Sequence, residues 1–207
     1  MTPEVVRTAQ LVSFSITVLA SGCRAPSGRA SPQECTAVSS ELSPSSSAAN
    51  LAGDYQLRLV ATTGSKKGSA TDGSLKLQKQ GEALRYRIRP GGTIDSAVVH
   101  PLFGATEVDL SAVDAVRVGS TTSEDPMQPG VLVIERHARE GQPPSSEIVL
   151  RFGSDANRRD RQRVDGGYTA LRVRKVSPEG FAGTWGSGIV GEQSAGYFCA
   201  VRKDGGR

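Results

Sequence analysis

Two stretches near the end of the chain, Phe181-Ala182-Gly183-Thr184-Trp185-Gly186 and Gly196-Tyr197-Phe198-Cys199-Ala200-Val201, decide the fold. They flank a polar segment and are typical of a terminal β-hairpin. The Gly-Thr-Trp opening has a counterpart in Leu51-Ala52-Gly53-Asp54-Tyr55. In each copy, glycine allows close approach of a backbone or ring, and the aromatic side chain can fill the end of a barrel. We therefore expect a β-barrel whose first and last strands meet, with Trp185 buried across the base of the barrel.

Between these motifs, apolar residues recur mostly at every second position, which predicts strands with one buried face. The alternating sets are Tyr55, Leu57 and Leu59; Leu75 and Leu77; Leu84, Tyr86 and Ile88; Ile148, Leu150 and Phe152; and Leu171 and Val173. Gly81-Glu82 and Pro90-Gly91-Gly92 interrupt the early sets, which predicts an antiparallel three-stranded meander. Ala105 to Leu110 and the apolar run from Val131 to Glu135 add further strand candidates.

No window carries a helical stripe, and the strands number eight or nine within residues 51–204. Such a sequence predicts an all-β domain, an antiparallel up-and-down barrel, because closure removes exposed strand edges. A two-sheet sandwich is the alternative. The segment from Ser111 to Gly130 has little periodicity and predicts an extended loop, either a lid over one barrel end or an insertion without a function.

The N-terminal region carries a short apolar segment, Leu11 to Ala20 (LVSFSITVLA). It is shorter than the about 20 residues of a membrane span and fits an export signal. The following Leu19-Ala20-Ser21-Gly22-Cys23 resembles the lipobox of bacterial lipoproteins. This resemblance implies removal of residues 1–22 and acylation of Cys23, with Arg24 favouring the outer membrane where the host has two. The alternative is an ordinary secretory signal cut after Ala20.

The chain contains three cysteines. If Cys23 carries lipid, Cys35 and Cys199 remain as a pair in an oxidising compartment, which predicts a disulfide between them. The alternative is two separate thiols. Residues 23–50 are rich in Ser, Ala and Pro, so we expect a disordered tether between the lipid and the barrel.

Composition disfavours several classes of function. The chain has a net charge of +4. Its basic residues do not form the dense stripe that is typical of nucleic-acid-binding proteins. The two histidines, His100 and His137, belong to no metal-binding or nucleophile motif, and no glycine-rich phosphate loop precedes a helix. We therefore expect neither catalysis nor a cofactor. The run Arg158, Arg159, Arg161 and Arg163 is a candidate patch for an anionic partner or, alternatively, a solvated loop.

The Gly-x-aromatic strand entrances at Gly53 and Gly183 resemble those of calycins, the superfamily of lipocalins, fatty-acid-binding proteins and avidins. The resemblance implies a barrel that holds a small apolar ligand. The candidate lining residues are Leu57, Leu59, Tyr86, Ile88, Leu150, Phe152 and Trp185. The sequence thus predicts a membrane-anchored envelope lipoprotein that binds an apolar ligand. The alternative is a solid-packed barrel with a structural or protein-interaction function, because eight strands suit either interior.

Overall fold

The computed structural model describes residues 35–87, 97–117, 119–137, 146–153, 168–188 and 193–203. Eight antiparallel strands form a closed barrel in which each strand pairs with its neighbours in chain order. The strands are β1 (Gly53–Ala61), β2 (Ala70–Arg87), β3 (Ala97–Thr106), β4 (Val131–His137), β5 (Ser146–Phe152), β6 (Tyr168–Ser177), β7 (Gly180–Gly188) and β8 (Ser194–Arg202). We call the end at which β1 begins the lower end and the opposite end the upper end.

Closure follows from the pairing of the terminal strands. β1 lies antiparallel to β8, in a register that runs from Tyr55 opposite Arg202 to Ala61 opposite Gly196. The prediction of a barrel whose first and last strands meet is therefore confirmed, and the sandwich is excluded. The period of two explains this outcome, because a sheet with one apolar face must cover that face and leaves no edge when it closes.

The inward side chains form one continuous hydrophobic core. It joins alternate residues of the strands to residues of two segments outside the barrel wall, with Leu51 at the lower end and Val113 at the upper end. Residues at both ends of the barrel therefore belong to the same core as the residues of its wall.

The meander predicted near the start of the domain is wrong in one respect. β2 continues through Gly81-Glu82, and its pairing with β3 shifts register between Lys79 and Leu84. The glycine therefore marks an irregularity within one long strand rather than a turn. The following strand is β3, which includes His100 and ends at Thr106, so the strand expected at residues 105–110 lies too late in the sequence.

The segment predicted as a disordered tether differs from that prediction in its second part. Residues 35–51, which we call the lower plug, lie against the barrel. Leu42, Ala48 and Leu51 are buried in the core, and Ala48–Leu51 form a 3₁₀ helix whose N-cap is Ser47. Although this segment is poor in large apolar residues, the few that it has lie where they can cover the lower end.

The segment from residue 107 to residue 116, which we call the upper plug, closes the opposite end. It contains the 3₁₀ helix Leu110–Val113, and the side chains of Val108, Leu110 and Val113 belong to the core. The sequence predicted an extended loop from Ser111, and the structure shows that its first part is packed into the barrel.

Candidate functional site: the barrel interior and its two ends

The predicted lining residues that the structure describes do converge on the barrel interior. Leu57, Leu59, Leu150, Phe152 and Trp185 are each at most 3% exposed and belong to the same hydrophobic core. Their side chains point inward because they occupy alternate positions of β1, β5 and β7. These five side chains therefore belong to the interior core of the barrel.

Trp185 lies near the upper end and fastens β7 to β1. Its indole Nε1 donates a hydrogen bond to the carbonyl oxygen of Val60 at 3.0 Å. Gly196 makes this contact possible, since a methyl group there would lie 2.7 Å from Nε1 and overlap the Val60 oxygen. The predicted burial of Trp185 against the strand that contains Tyr55 is confirmed. Its predicted position across the base of the barrel is wrong, because the indole bonds to Val60, near the opposite end of β1 from Tyr55.

Three aromatic rings fill the lower part of the interior. The rings of Tyr55 and Phe181 meet edge to face with centroids 5.0 Å apart, and Phe181 meets Phe198 at 5.9 Å. Edge-to-face pairs add to the stabilisation from burial. The aromatic residues of both Gly-x-aromatic motifs are therefore inside the barrel, Tyr55 near the lower end and Trp185 near the upper end.

Glu135 anchors the lower plug. This buried carboxylate accepts hydrogen bonds from the amide of Ala48 at 2.9 Å and from the hydroxyl of Ser47 at 3.2 Å. Glu135 is therefore the hydrogen-bond acceptor for the backbone amide at the start of a 3₁₀ helix, a group that has no partner within the helix. Side chains two positions apart in a strand share a face, so Glu135 lies on the same face as Val131 and Val133. The continuous apolar run of β4 does not indicate which face points inward, so the sequence carried no signal for this contact.

Arg202 and Tyr55 hold the end of the lower plug. The Tyr55 hydroxyl donates to the carbonyl of Leu51 at 3.0 Å and accepts from Arg202 Nη2 at 2.8 Å, while Arg202 Nη1 donates to the carbonyl of Ala52 at 3.0 Å. The guanidinium lies 5.0 Å from the centre of the Tyr55 ring. Gly53 passes beside it with φ of +146°, in the region that favours glycine.

Burial raises the pKa of Tyr55 above its ordinary value of 10.0; the positive charge of Arg202 opposes this rise, and Asp54 adds to it. The hydroxyl therefore keeps its proton, and its hydrogen bond to Leu51, through the neutral range. The alternation of β8 places Arg202 on the inward face, two positions after Ala200, which is a signal that our prediction did not use.

Hydroxyl groups hold the upper plug. Ser187 Oγ accepts from the amide of Val116 at 2.6 Å, and Thr169 Oγ1 donates to the carbonyl of Val116 at 2.6 Å. The two hydroxyls lie 2.7 Å apart. Ser194 Oγ adds a bond of 2.6 Å to the carbonyl of Asp114. These strand residues provide hydrogen-bond partners for part-buried backbone groups of the plug.

Cys35 and Cys199 form the predicted disulfide, with Cα atoms 5.6 Å apart and 164 positions apart in sequence. It joins the start of the lower plug to the outer face of β8. On the chain-entropy model, closing a loop of this length stabilises the fold by about 5 kcal/mol.

Two grooves lie on the outside of the barrel. One, of about 240 Å³, is lined by Thr36 and Val38 of the lower plug and by residues of β6 to β8 that include Lys175. The other, of about 490 Å³, has charged walls that include Asp54, Lys76 and Glu124. Neither groove is lined by Leu57, Leu150 or Trp185, although the first includes Phe181 and Ala200 of the core and the second includes Leu75.

The outer face of β3 to β6 is apolar and buried. Its outward residues are Phe103, Leu132, Ile134, Val149 and Ala170, each 3 to 6% exposed and none of them part of the interior core. Arg151 lies among them, and burial, assisted by the charge of Arg136, lowers its pKa. β4 is thus buried on both faces.

Several predicted site residues fall outside this description. Tyr86 lies in β2 opposite Val98, but the position of its side chain is not described. Cys23, Ile88 and the arginine run lie outside the described residues, the run comprising Arg158, Arg159, Arg161 and Arg163.

Two further observations concern the described ranges alone. They contain no helix long and apolar enough to cross a bilayer. They also contain no group of three His, Cys, Asp or Glu side chains arranged to hold a metal ion.

The chain was compared with models of protein families, with curated proteins and with solved structures, and no match was found in any of the three.

Proposed function

We propose that this protein is a non-catalytic, lipid-anchored protein of the cell envelope, with a solid-packed barrel that acts through its outer surface. The supporting observation is the continuity of the core from one plug to the other. Leu51 at the lower end and Val113 at the upper end belong to the same packed cluster as the inward residues of the wall. An eight-stranded barrel is just wide enough for side chains to fill it, so this packing favours a structural interior over a ligand site.

The two closed ends support the same proposal. An apolar ligand would have to displace one plug to enter, and each plug is held by buried polar contacts, by Glu135 at the lower end and by Ser187 and Thr169 at the upper end. Breaking such contacts leaves buried groups without partners, which is costly. Binding of a ligand would therefore cost the free energy of displacing a plug, a cost that a barrel with an open end does not have.

The pairing of the cysteines supports the proposed membrane anchor. The disulfide uses Cys35 and Cys199, so Cys23 is the one remaining thiol of the chain. Cys23 directly follows an apolar segment and small residues, the arrangement in which it resembles the cysteine of a lipobox. A short segment would then join the lipid to Cys35, and the barrel would lie close to the membrane surface.

Labelling with a fatty acid tests the anchor. When the full chain is expressed in a bacterium supplied with labelled palmitate, we expect label in the wild type and none in Cys23→Ser. Cys35→Ser is the matched control, because it removes a cysteine of the same chain and should keep the label. Equal labelling of the wild type and Cys23→Ser would contradict the proposal.

Titration with a fluorescent fatty acid tests the interior. We expect no saturable binding to the purified folded protein. Saturable binding of one molecule per barrel, abolished by Leu57→Trp but not by the outward change Arg58→Ala, would contradict solid packing and support an apolar ligand site.

A further inference from the structure

We infer that the Cys35–Cys199 disulfide is a mechanical bypass, which transfers tension arriving from the N-terminal side directly to β8 and keeps the lower plug unloaded. The lower plug lies between Cys35 and β1 in the chain. Any pull on the residues before Cys35 would otherwise reach the plug before it reached the barrel. The disulfide provides a shorter covalent route to Cys199. In the cell, the tension would come from the proposed lipid anchor at Cys23, so this inference rests on the proposed function.

The lower plug is built to peel when it is loaded. Leu42, Ala48 and Leu51 supply its buried apolar contacts. Glu135 accepts hydrogen bonds from the amide of Ala48 and the hydroxyl of Ser47. These contacts succeed one another along the chain, so a pull from Cys35 would load them one at a time.

The point to which the disulfide delivers the load is stronger. Cys199 lies in the middle of β8, opposite Arg58 of β1 on one side and Ala182 of β7 on the other. A strand with backbone hydrogen bonds to two neighbours shares a load among many bonds at once. Tension at Cys199 is therefore resisted by the barrel wall, while the plug remains in place.

Loss of the plug would expose the lower end of the core. Leu51 and Ala48 would become exposed, and the buried Glu135 would lose its partners in the plug. The consequence is a barrel that is open at one end although all eight strands remain paired. The bypass thus protects the closed state on which the solid-packed interior depends.

Single-molecule pulling tests this inference on the full chain, with one handle at the N-terminus and the other at the exposed Met127 between β3 and β4, so that the load must cross the barrel wall. In the oxidised protein we expect no release of the lower plug before rupture of β8. After reduction of the same molecule with a phosphine, we expect a first step of up to about 55 Å, the length of residues 35–51 at about 3.3 Å per residue. A second, larger step should follow when the barrel unfolds.

Two variants sharpen the result. Cys35→Ser/Cys199→Ser should reproduce the two steps without reductant, and native Trp185 emission before pulling verifies that the barrel is folded. Glu135→Gln in the reduced protein should lower the force of the first step and leave the second unchanged. A single unfolding step in the reduced protein would overturn the inference, as would plug release in the oxidised protein. Because no lipid is present, these outcomes are independent of the labelling experiment on Cys23.

Discussion

The two ends of the barrel are closed by similar 3₁₀ helices, but they are held in different ways. The lower plug precedes β1, is joined to the wall by a disulfide, and places its backbone against the charged side chains of Glu135 and Arg202. The upper plug lies between β3 and β4 and is held by the neutral hydroxyls of Ser187 and Thr169.

The difference follows from chain connectivity. A segment between two paired strands has both ends fixed, so little additional entropy is lost when it settles on the barrel. A segment that precedes the first strand is fixed at one end only, and ordering it costs more. The lower plug therefore needs stronger attachments, and a covalent bond at Cys35 fixes its second end. The comparison indicates that the lower end depends on its attachments more than the upper end does.

The largest effect is expected from Trp185→Ala, which removes packing near the upper end. Loss of the buried ring and the cavity left behind should lower the free energy of unfolding by about 3 to 5 kcal/mol. Chemical denaturation measures this change. Trp185→Phe is the control and should lose much less, because it keeps most of the ring and gives up chiefly the bond to Val60. An unchanged midpoint for Trp185→Ala, together with water-like indole emission in the wild type, would contradict the burial of this residue.

An intermediate effect is expected from removing the acceptor at each end. Glu135→Ala leaves the buried Ala48 amide without this acceptor and should cost about 2 to 3 kcal/mol. Ser187→Ala removes the neutral hydroxyl that accepts from the part-buried amide of Val116 and should cost about 1 to 2 kcal/mol. Denaturant titration of both variants measures the pair. If Ser187→Ala were the more damaging change, the view that the lower end depends more on its attachments would be wrong.

The smallest effect at neutral pH is expected from Tyr55→Phe, about 1 kcal/mol for the hydroxyl bond to Leu51. The wild type should also show a pH dependence. Because the pKa of Tyr55 is raised in the folded state above 10.0, its contribution is fully present below pH 10 and is lost as the pH rises through the folded pKa. Unfolding midpoints between pH 8 and pH 11 should fall more steeply in the wild type than in Tyr55→Phe. Parallel curves would contradict a buried, hydrogen-bonded Tyr55.

Sequence and structure agree best where a strand is buried on one side. β1 alternates between inward Leu57 and outward Arg58, and Arg58 forms an exposed ion pair with Asp72 at 2.9 Å. β4 shows the opposite case. Its run Val131 to Glu135 has no alternation because Leu132 and Ile134 are buried on the outer face as well. A continuous apolar run predicts a strand but cannot indicate which face points inward.

The sequence by itself predicted a closed barrel ahead of a sandwich, the pairing of β1 with β8, the burial of Trp185, and a disulfide between Cys35 and Cys199 ahead of two separate thiols. Each follows from a local pattern, the period of two or the parity of the cysteines. Only the tertiary structure decided how the ends are closed. Leu42, Leu51 and Val113 are isolated apolar residues without a period, and their burial depends on where the barrel ends lie. The positions of the barrel ends are fixed only when strands that are distant in sequence pair, so no local sequence pattern can predict them.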